Sequence, residues 1–249
     1  MVVRLGIIDW GIGGVSIYKL IKEKLGKPPI IYFSDTGATP YGKMSRGDLV
    51  GRLNSAIPLL KDRGVTHLVI GCNAASTAVD DLDDHRIPIL GIIRPAVELV
   101  TRIKPQRLGL IGGRRTVTSG VYKKALAKQG IRVEQRVAQP LSGLIESGDI
   151  DSEQLRSEAR RIMAPIRNSS HILLACTHYP AITAVLAQIV SPKTKFIDPA
   201  GELVSKVSRW NLSSAGSDAF LTSGDTIAMK TAALKAFSVK IAAAERVSL

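Results

Sequence analysis

The chain has little cysteine, little aromatic surface and no long apolar run, and each shortage argues against a class of protein. Two cysteines, Cys72 and Cys176, are too few for a disulfide-stapled scaffold. Aromatics make up 4% of the residues, and no basic run is interleaved with the Phe or Tyr that stack on bases. No segment approaches the roughly 20 apolar residues needed to span a bilayer. No basic stretch leads into a separate apolar segment, so no signal peptide is expected, and a cytoplasmic protein with reduced thiols is. Acidic residues are also scarce: 21 Asp and Glu against 34 Lys and Arg leave a net charge of +13. The basic residues are scattered along the chain, which suits a solvated surface that attracts anionic small molecules. Nucleic acid is not expected as the main partner.

What is present is a globular composition. The 249 residues are 45% apolar and 22% charged, enough for one large domain or two smaller ones. Val2 to Ile8 reads as a strand ending at Asp9, and Gly11-Ile12-Gly13-Gly14 breaks it. Val15, Tyr18, Ile21 and Leu25 then recur at helical spacing. Pro29 to Phe33 is a continuously apolar strand, as in a parallel sheet covered on both faces. Strand-like and helix-like segments alternate to the end, which is the α/β pattern.

The two halves resemble each other. Arg4-Leu5-Gly6-Ile7-Ile8 recurs 103 residues later as Arg107-Leu108-Gly109-Leu110-Ile111, again before glycines. His67-Leu68-Val69-Ile70-Gly71-Cys72-Asn73 recurs 104 residues on as His171-Ile172-Leu173-Leu174-Ala175-Cys176-Thr177. Two matches at nearly one offset imply two similar α/β lobes with parallel-type sheets. Each lobe then carries one cysteine at the carboxyl end of a buried strand, where ligands bind in such sheets. Facing lobes would set one thiol on each side of a cleft.

Opposed thiols suit inversion of a carbon centre, which needs a base on one face and an acid on the other. Cysteine serves as thiolate base and thiol acid because its pKa can be tuned towards neutrality. Asn73 to Thr77 reads as a helix start after Cys72, and Thr177 to Pro180 as another after Cys176. Helix-start N–H groups are expected to lower each thiol pKa and to hold a carboxylate. Asp9 could hold the substrate ammonium or tune Cys72, and His178 could tune Cys176. Other readings of the cysteines stay open: buried structural thiols, a zinc site, a disulfide, or a hydrolase with a Cys nucleophile and His178 as base. Gly11-x-Gly13-Gly14 with Asp35 also permits a dinucleotide-binding oxidoreductase, although Ser16 stands at the third glycine position.

Several blocks together resemble the glutamate racemases of the aspartate/glutamate racemase superfamily. They are Asp9 with the glycine turn, Asp35-Thr36, Pro40-Tyr41-Gly42, Cys72-Asn73 and Cys176-Thr177-His178-Tyr179-Pro180. Thr116 with Ser119 and Tyr122, Leu144-Ile145-Glu146, Ile197-Asp198-Pro199-Ala200 and Phe220 to Asp225 extend the match over nearly the whole chain.

The resemblance implies a cleft between two lobes, one of residues 96–204 and one of residues 1–95 with 205–249. It implies a homodimer that racemises glutamate, an acidic amino acid, without cofactor or metal, and supplies D-glutamate for peptidoglycan. By matching position Cys72 and Cys176 are the acid/base pair, with Asp9, His178 and Glu146 assisting. Pro40, Tyr41, Gly42, Asn73, Thr116 and Thr177 would line the substrate.

Two substrate-binding positions depart from the pattern. Trp10 stands where these enzymes usually have Ser, and Ala74 where they have Thr. An indole at Trp10 would fill part of the cleft or turn into the core. A changed substrate, such as aspartate or another acidic amino acid, or a lost activity, is the alternative that these departures motivate. Arg94, Arg114 and Arg115 are candidates for anion binding in the cleft.

Overall fold

The computed structural model describes residues 3–249; Val2, part of the first strand reading, lies outside them. One parallel sheet is built on β1 (Leu5–Asp9), β2 (Ile30–Ser34), β3 (His67–Ile70) and β4 (Ile89–Gly91). A second holds β5 (Leu108–Gly112), β6 (Val133–Val137), β7 (His171–Ala175) and β8 (Lys195–Ile197). The chain then returns to the first sheet and adds β9 (Ala219–Thr222) and β10 (Glu245–Arg246) at its edge. The strand orders are β10-β9-β2-β1-β3-β4 and β6-β5-β7-β8.

The order β2-β1-β3-β4 is thus repeated as β6-β5-β7-β8, and the registers agree. Leu5 aligns with His67 in one sheet, and Leu108 aligns with His171 in the other. This is the repeat that the sequence offset implied, now as two similar α/β units.

Helices cover the sheets as parallel connections require. Following the first strands are α1 (Val15–Lys24), α2 (Arg46–Asp62), α3 (Asn73–Ser76) and α4 (Ile93–Ile103). The second unit has α5 (Arg114–Thr118), α6 (Val121–Ala127), α7 (Gln139–Glu146), α8 (Glu153–Met163) and α9 (Thr183–Ala187). The return carries α10 (Ala200–Val207) and α11 (Thr226–Phe237). Side chains start three of them: Ser45 accepts from the Asp48 N–H, Ser152 from Leu155, and Asp225 from Ile227 and Ala228. Each such cap stabilises its helix by about 1 kcal/mol. No helix among the described residues is long and apolar enough to cross a membrane.

The two units share one apolar core. Ile12, Val15 and Ile17 of the first belong to the same buried cluster as Leu141, Ile145 and Tyr179 of the second. Helix α10 packs on both α1 and α4, and α11 touches both α1 and α7.

The loops after β1 and β7 meet at a contact that only glycine permits. A Cβ on Gly11 would overlap the Glu146 carboxylate, and one on Gly13 would overlap Thr177 and stand 2.7 Å from His178 Nδ1. The glycine turn therefore exists for close approach of the other unit. Its space is filled by protein, so the dinucleotide reading is set aside on geometry.

Gly13→Ala tests this contact. It should destabilise the fold by about 1–3 kcal/mol, the usual cost of overpacking, read from denaturant or thermal unfolding. An unchanged midpoint would mean that the approach is looser than described.

Candidate active site

A cavity of about 40 Å³ lies where the carboxyl ends of both sets of strands face each other. Asp9, Trp10, Pro40, Tyr41, Gly42, Cys72, Asn73 and Ala74 line it from one side. Thr116, Cys176, Thr177 and His178 line it from the other. The structure thus brings together every expected site residue except Glu146, which stands behind His178. Gly113, Gln139, Ser142 and Ala175 also line it. Sequence reasoning missed Gln139 and Ser142, because a Gln and a Ser at the start of an amphipathic helix carry no chemical signature.

The two thiols sit in different electrostatic settings. Cys72 caps α3 and is 8% exposed. Burial pushes its pKa well above the ordinary value, and the neighbouring Asp9 carboxylate adds to the rise. This corrects the expectation of a thiol acidified by a helix start. Helix α3 has only four residues, and the Ala75 N–H opposes burial too weakly to win. Cys176 is followed by a 3₁₀ turn, Tyr179–Ile182, in place of the expected α-helix. Its Sγ lies 3.6 Å from His178 Nδ1.

His178 is 3% exposed and holds Glu146 Oε2 at 2.7 Å through Nε2. Burial alone would lower its pKa, but hydrogen bonds to Cys176 and Glu146, with their charges, raise it well above the usual value. His178 is therefore the titratable group in direct contact with the Cys176 thiol. Glu146 Oε2 also accepts from the Ile12 N–H at 2.8 Å, so it is fixed from both units. It positions His178 and does not face the cavity.

Asp9 is fully buried and joins the units. Its Oδ2 accepts from the Thr177 hydroxyl at 2.7 Å and its Oδ1 from the Trp10 N–H at 2.7 Å. Burial raises its pKa, against the opposing pull of His178 and these hydrogen bonds.

Two donors in the cavity have no partner among the described residues. The Tyr122 hydroxyl donates to Asn73 Oδ1 at 2.6 Å, which orients the amide and leaves Nδ2 unpaired. Thr116 Oγ1 is likewise buried and unpaired. Leaving each unsatisfied costs about 1–3 kcal/mol, which an anionic ligand accepting from both would recover.

The Pro40–Gly42 wall hangs on Asp35. That carboxylate is fully buried and accepts from Tyr41 Oη at 2.7 Å, Ser223 Oγ at 2.6 Å and the Arg52 guanidinium at 2.6 and 2.8 Å. Tyr41 therefore lends the cavity its wall, while its hydroxyl is spent on Asp35. The same loop supplies Ala38 O, which accepts from Trp10 Nε1 at 3.1 Å. Trp10 is thus tied to its own unit, half-buried against the core cluster that includes Tyr41, Cys72 and Ala74, and lines the cavity.

The arginines divide. Arg94 is exposed and pairs with Glu98 at 3.1 Å, so it does not serve the cleft. Arg115 crosses to donate to Met44 O at 2.9 Å. Both cysteines are free, and no group of three or more metal-ligating side chains converges among the described residues.

This fold and its relatives place the protein in a class: the amino-acid racemases, which are isomerases. More closely, the chain belongs to the Asp/Glu/Hydantoin racemase family, which matches residues 5–207. A glutamate racemase of Bacillus cereus is 32% identical over 211 residues, covering 82% of this chain and 78% of that protein. The glutamate racemase structure of Thermus thermophilus with β-chloro-D-alanine superposes with a TM-score of 0.85 at 26% identity. It covers 99% of this chain and 97% of that one. For Francisella tularensis glutamate racemase with D-glutamate the TM-score is 0.88 at 24% identity, with 99% and 97% covered.

The Glu146–His178 pair makes a pH prediction. Because the folded-state pKa of His178 is raised, its stabilising contribution is complete below the unfolded value of about 6.5 and is lost as pH rises through the folded value. Glu146→Gln should bring the His178 pKa down and shift the alkaline loss of activity to lower pH. Each unit of downward shift costs about tenfold in protonated imidazole above the pKa. Imidazole titration by NMR alongside the pH–rate profile checks this; an unmoved His178 titration would dissociate the pair.

Proposed function

We propose that the protein is a glutamate racemase working by two-thiol acid/base catalysis. The observation that carries this reading is the pair Cys72 and Cys176, at equivalent strand ends of the two units and in one cavity. A thiolate on one face takes the α-hydrogen as a proton, leaving its electron pair on the α-carbon and carboxylate. The thiol on the other face then delivers its own proton to that carbon. The product carries the opposite configuration, and the two cysteines have exchanged protonation states.

The surroundings support these roles. Cys72, neutral because of burial and Asp9, is suited to act as acid in the state described. Cys176 beside the imidazolium is suited to act as base, with the roles reversed for the opposite enantiomer. Asn73 Nδ2 and Thr116 Oγ1 are placed to receive a carboxylate, and so to stabilise the charge that develops on it. Asp9, the one carboxylate lining the cavity, suits the substrate ammonium.

Family resemblance extends the proposal to D-glutamate supply for peptidoglycan in the cytoplasm, to a homodimer, and to lobes that divide near residues 96 and 204. A hydrolase with Cys176 as nucleophile would leave Cys72 without a task. Glutamate is favoured over aspartate by the glutamate racemases among the relatives.

Incubation with each enantiomer of glutamate and aspartate in deuterated water, followed by NMR of the α-position, tests the reading. Exchange and inversion are expected with glutamate, and Cys72→Ser and Cys176→Ser should each abolish inversion. No exchange with any of the four would sink it.

Trp10 lines the cavity where the resemblance expects Ser, so Trp10→Ser should raise glutamate turnover by enlarging the site. If kcat/KM for glutamate stays the same or falls, the indole is part of the binding surface and not an obstruction.

A further inference from the structure

Outside the catalytic cavity lies a second, larger chamber of about 560 Å³. The two share Trp10, Pro40 and Gln139 as a common wall. Lys43, Arg114 and Arg161 line the outer chamber, and no Asp or Glu does. Arg161 is partly offset by Glu158 at 2.7 Å. Lys43 and Arg114 make no ion pair among the described residues. Next to Arg114 in the chain, Arg115 spends one nitrogen on Met44 O and keeps a buried Nε without a partner.

Positive charge is thus gathered in a concave site with no carboxylate on its walls, which concentrates anions there. The volume lies in the usual range for small-molecule sites, about 300–1,000 Å³. Guanidinium forks and an ammonium are the donors that phosphate and polycarboxylate groups select. The cations also come from opposite units: Lys43 follows the Pro40–Gly42 wall, whereas Arg114 and Arg161 belong to α5 and α8. An anion between them would tie the two sides of the mouth together.

We propose that the outer chamber is a binding site for a multivalent small anion, phosphate- or polycarboxylate-bearing, whose occupancy closes the route past Trp10 to the catalytic cavity. The site itself stands on its own geometry; its inhibitory consequence rests on the racemase reading. Since ligand and substrate share the Trp10 wall, binding of one excludes passage of the other.

The sequence contains two tryptophans, so Trp210→Phe leaves Trp10 as the sole indole reporter. This variant and its Lys43→Ala/Arg114→Ala derivative are titrated with inorganic phosphate, with citrate, and with sodium chloride at matched ionic strength. Calorimetry reads binding, Trp10 fluorescence reads location, and thermal unfolding verifies that the derivative is folded. Saturable binding of phosphate or citrate is expected, at least about tenfold weaker in the derivative, with none for chloride. The tighter of the two arms identifies the preferred anion. No saturable heat with either anion, or equal affinity in the derivative, overturns the site. In turnover the bound anion should raise KM for glutamate and leave kcat unchanged; an unchanged KM overturns the blockade. Anion binding by a protein that does not racemise glutamate would remove the proposed function and leave the site standing.

Discussion

The structure depends on one close approach, the glycine turn after β1 pressed against Cys176-Thr177-His178 after β7. Through it Asp9 of one unit accepts from Thr177 of the other, and Glu146 accepts from the Ile12 N–H while holding His178. A side chain on Gly11 or Gly13 would hold these groups apart. The consequence is chemical as well as mechanical. Asp9 is fully buried and Glu146 largely so, and each carboxylate needs fixed donors there, because an unpaired buried charge costs several kcal/mol. Thr177, Trp10, Ile12 and His178 are those donors, so the contact that joins the units also sets the charges around the thiols.

Those charges make two chemically identical cysteines inequivalent. Asp9 and burial keep a proton on Cys72, while the imidazolium held by Glu146 stands against Cys176. Mutual repulsion alone lets two like thiols in one site hold a single proton between them, and the unequal surroundings place that proton on Cys72. In the proposed mechanism this asymmetry supplies one acid and one base without any mobile residue having to cross the substrate. Turnover by that mechanism would reverse it, so both settings would have to tolerate both states, and neither could be tuned to an extreme. That is a reason to keep tuning groups at one remove: Glu146 acts through His178 and not on the substrate directly.

Much of this was legible in the sequence because it is periodic. Two pairs of apolar strands at nearly one offset, one pair ending in cysteine, forecast two units of the same topology, and the registers Leu5–His67 and Leu108–His171 bear that out. Long-range side-chain contacts are not periodic and were harder to find. Glu146 lies 134 residues from Ile12, and only the family resemblance drew attention to it. The thiol-lowering helix start at Cys72 was a local inference that tertiary burial overrode, since four residues build almost no dipole. Strand β10 has two exposed charged residues, Glu245 and Arg246, and so offers no apolar pattern to read.

Trp10 is tied into the loop that forms the cavity wall. Its indole nitrogen is satisfied by Ala38 O, on the loop that Asp35 fixes through Tyr41, Ser223 and Arg52. The ring is therefore held as a partition, with about 40 Å³ on the catalytic side and about 560 Å³ outside. A cavity of the smaller size holds only a few waters, at about 10–15 Å³ each. An amino acid reaches the thiols only if this partition shifts or the units separate. The close approach at Gly11 and Gly13 joins the units at its own end of the interface, whereas Lys43 of one unit and Arg114 of the other line the outer chamber with like charge.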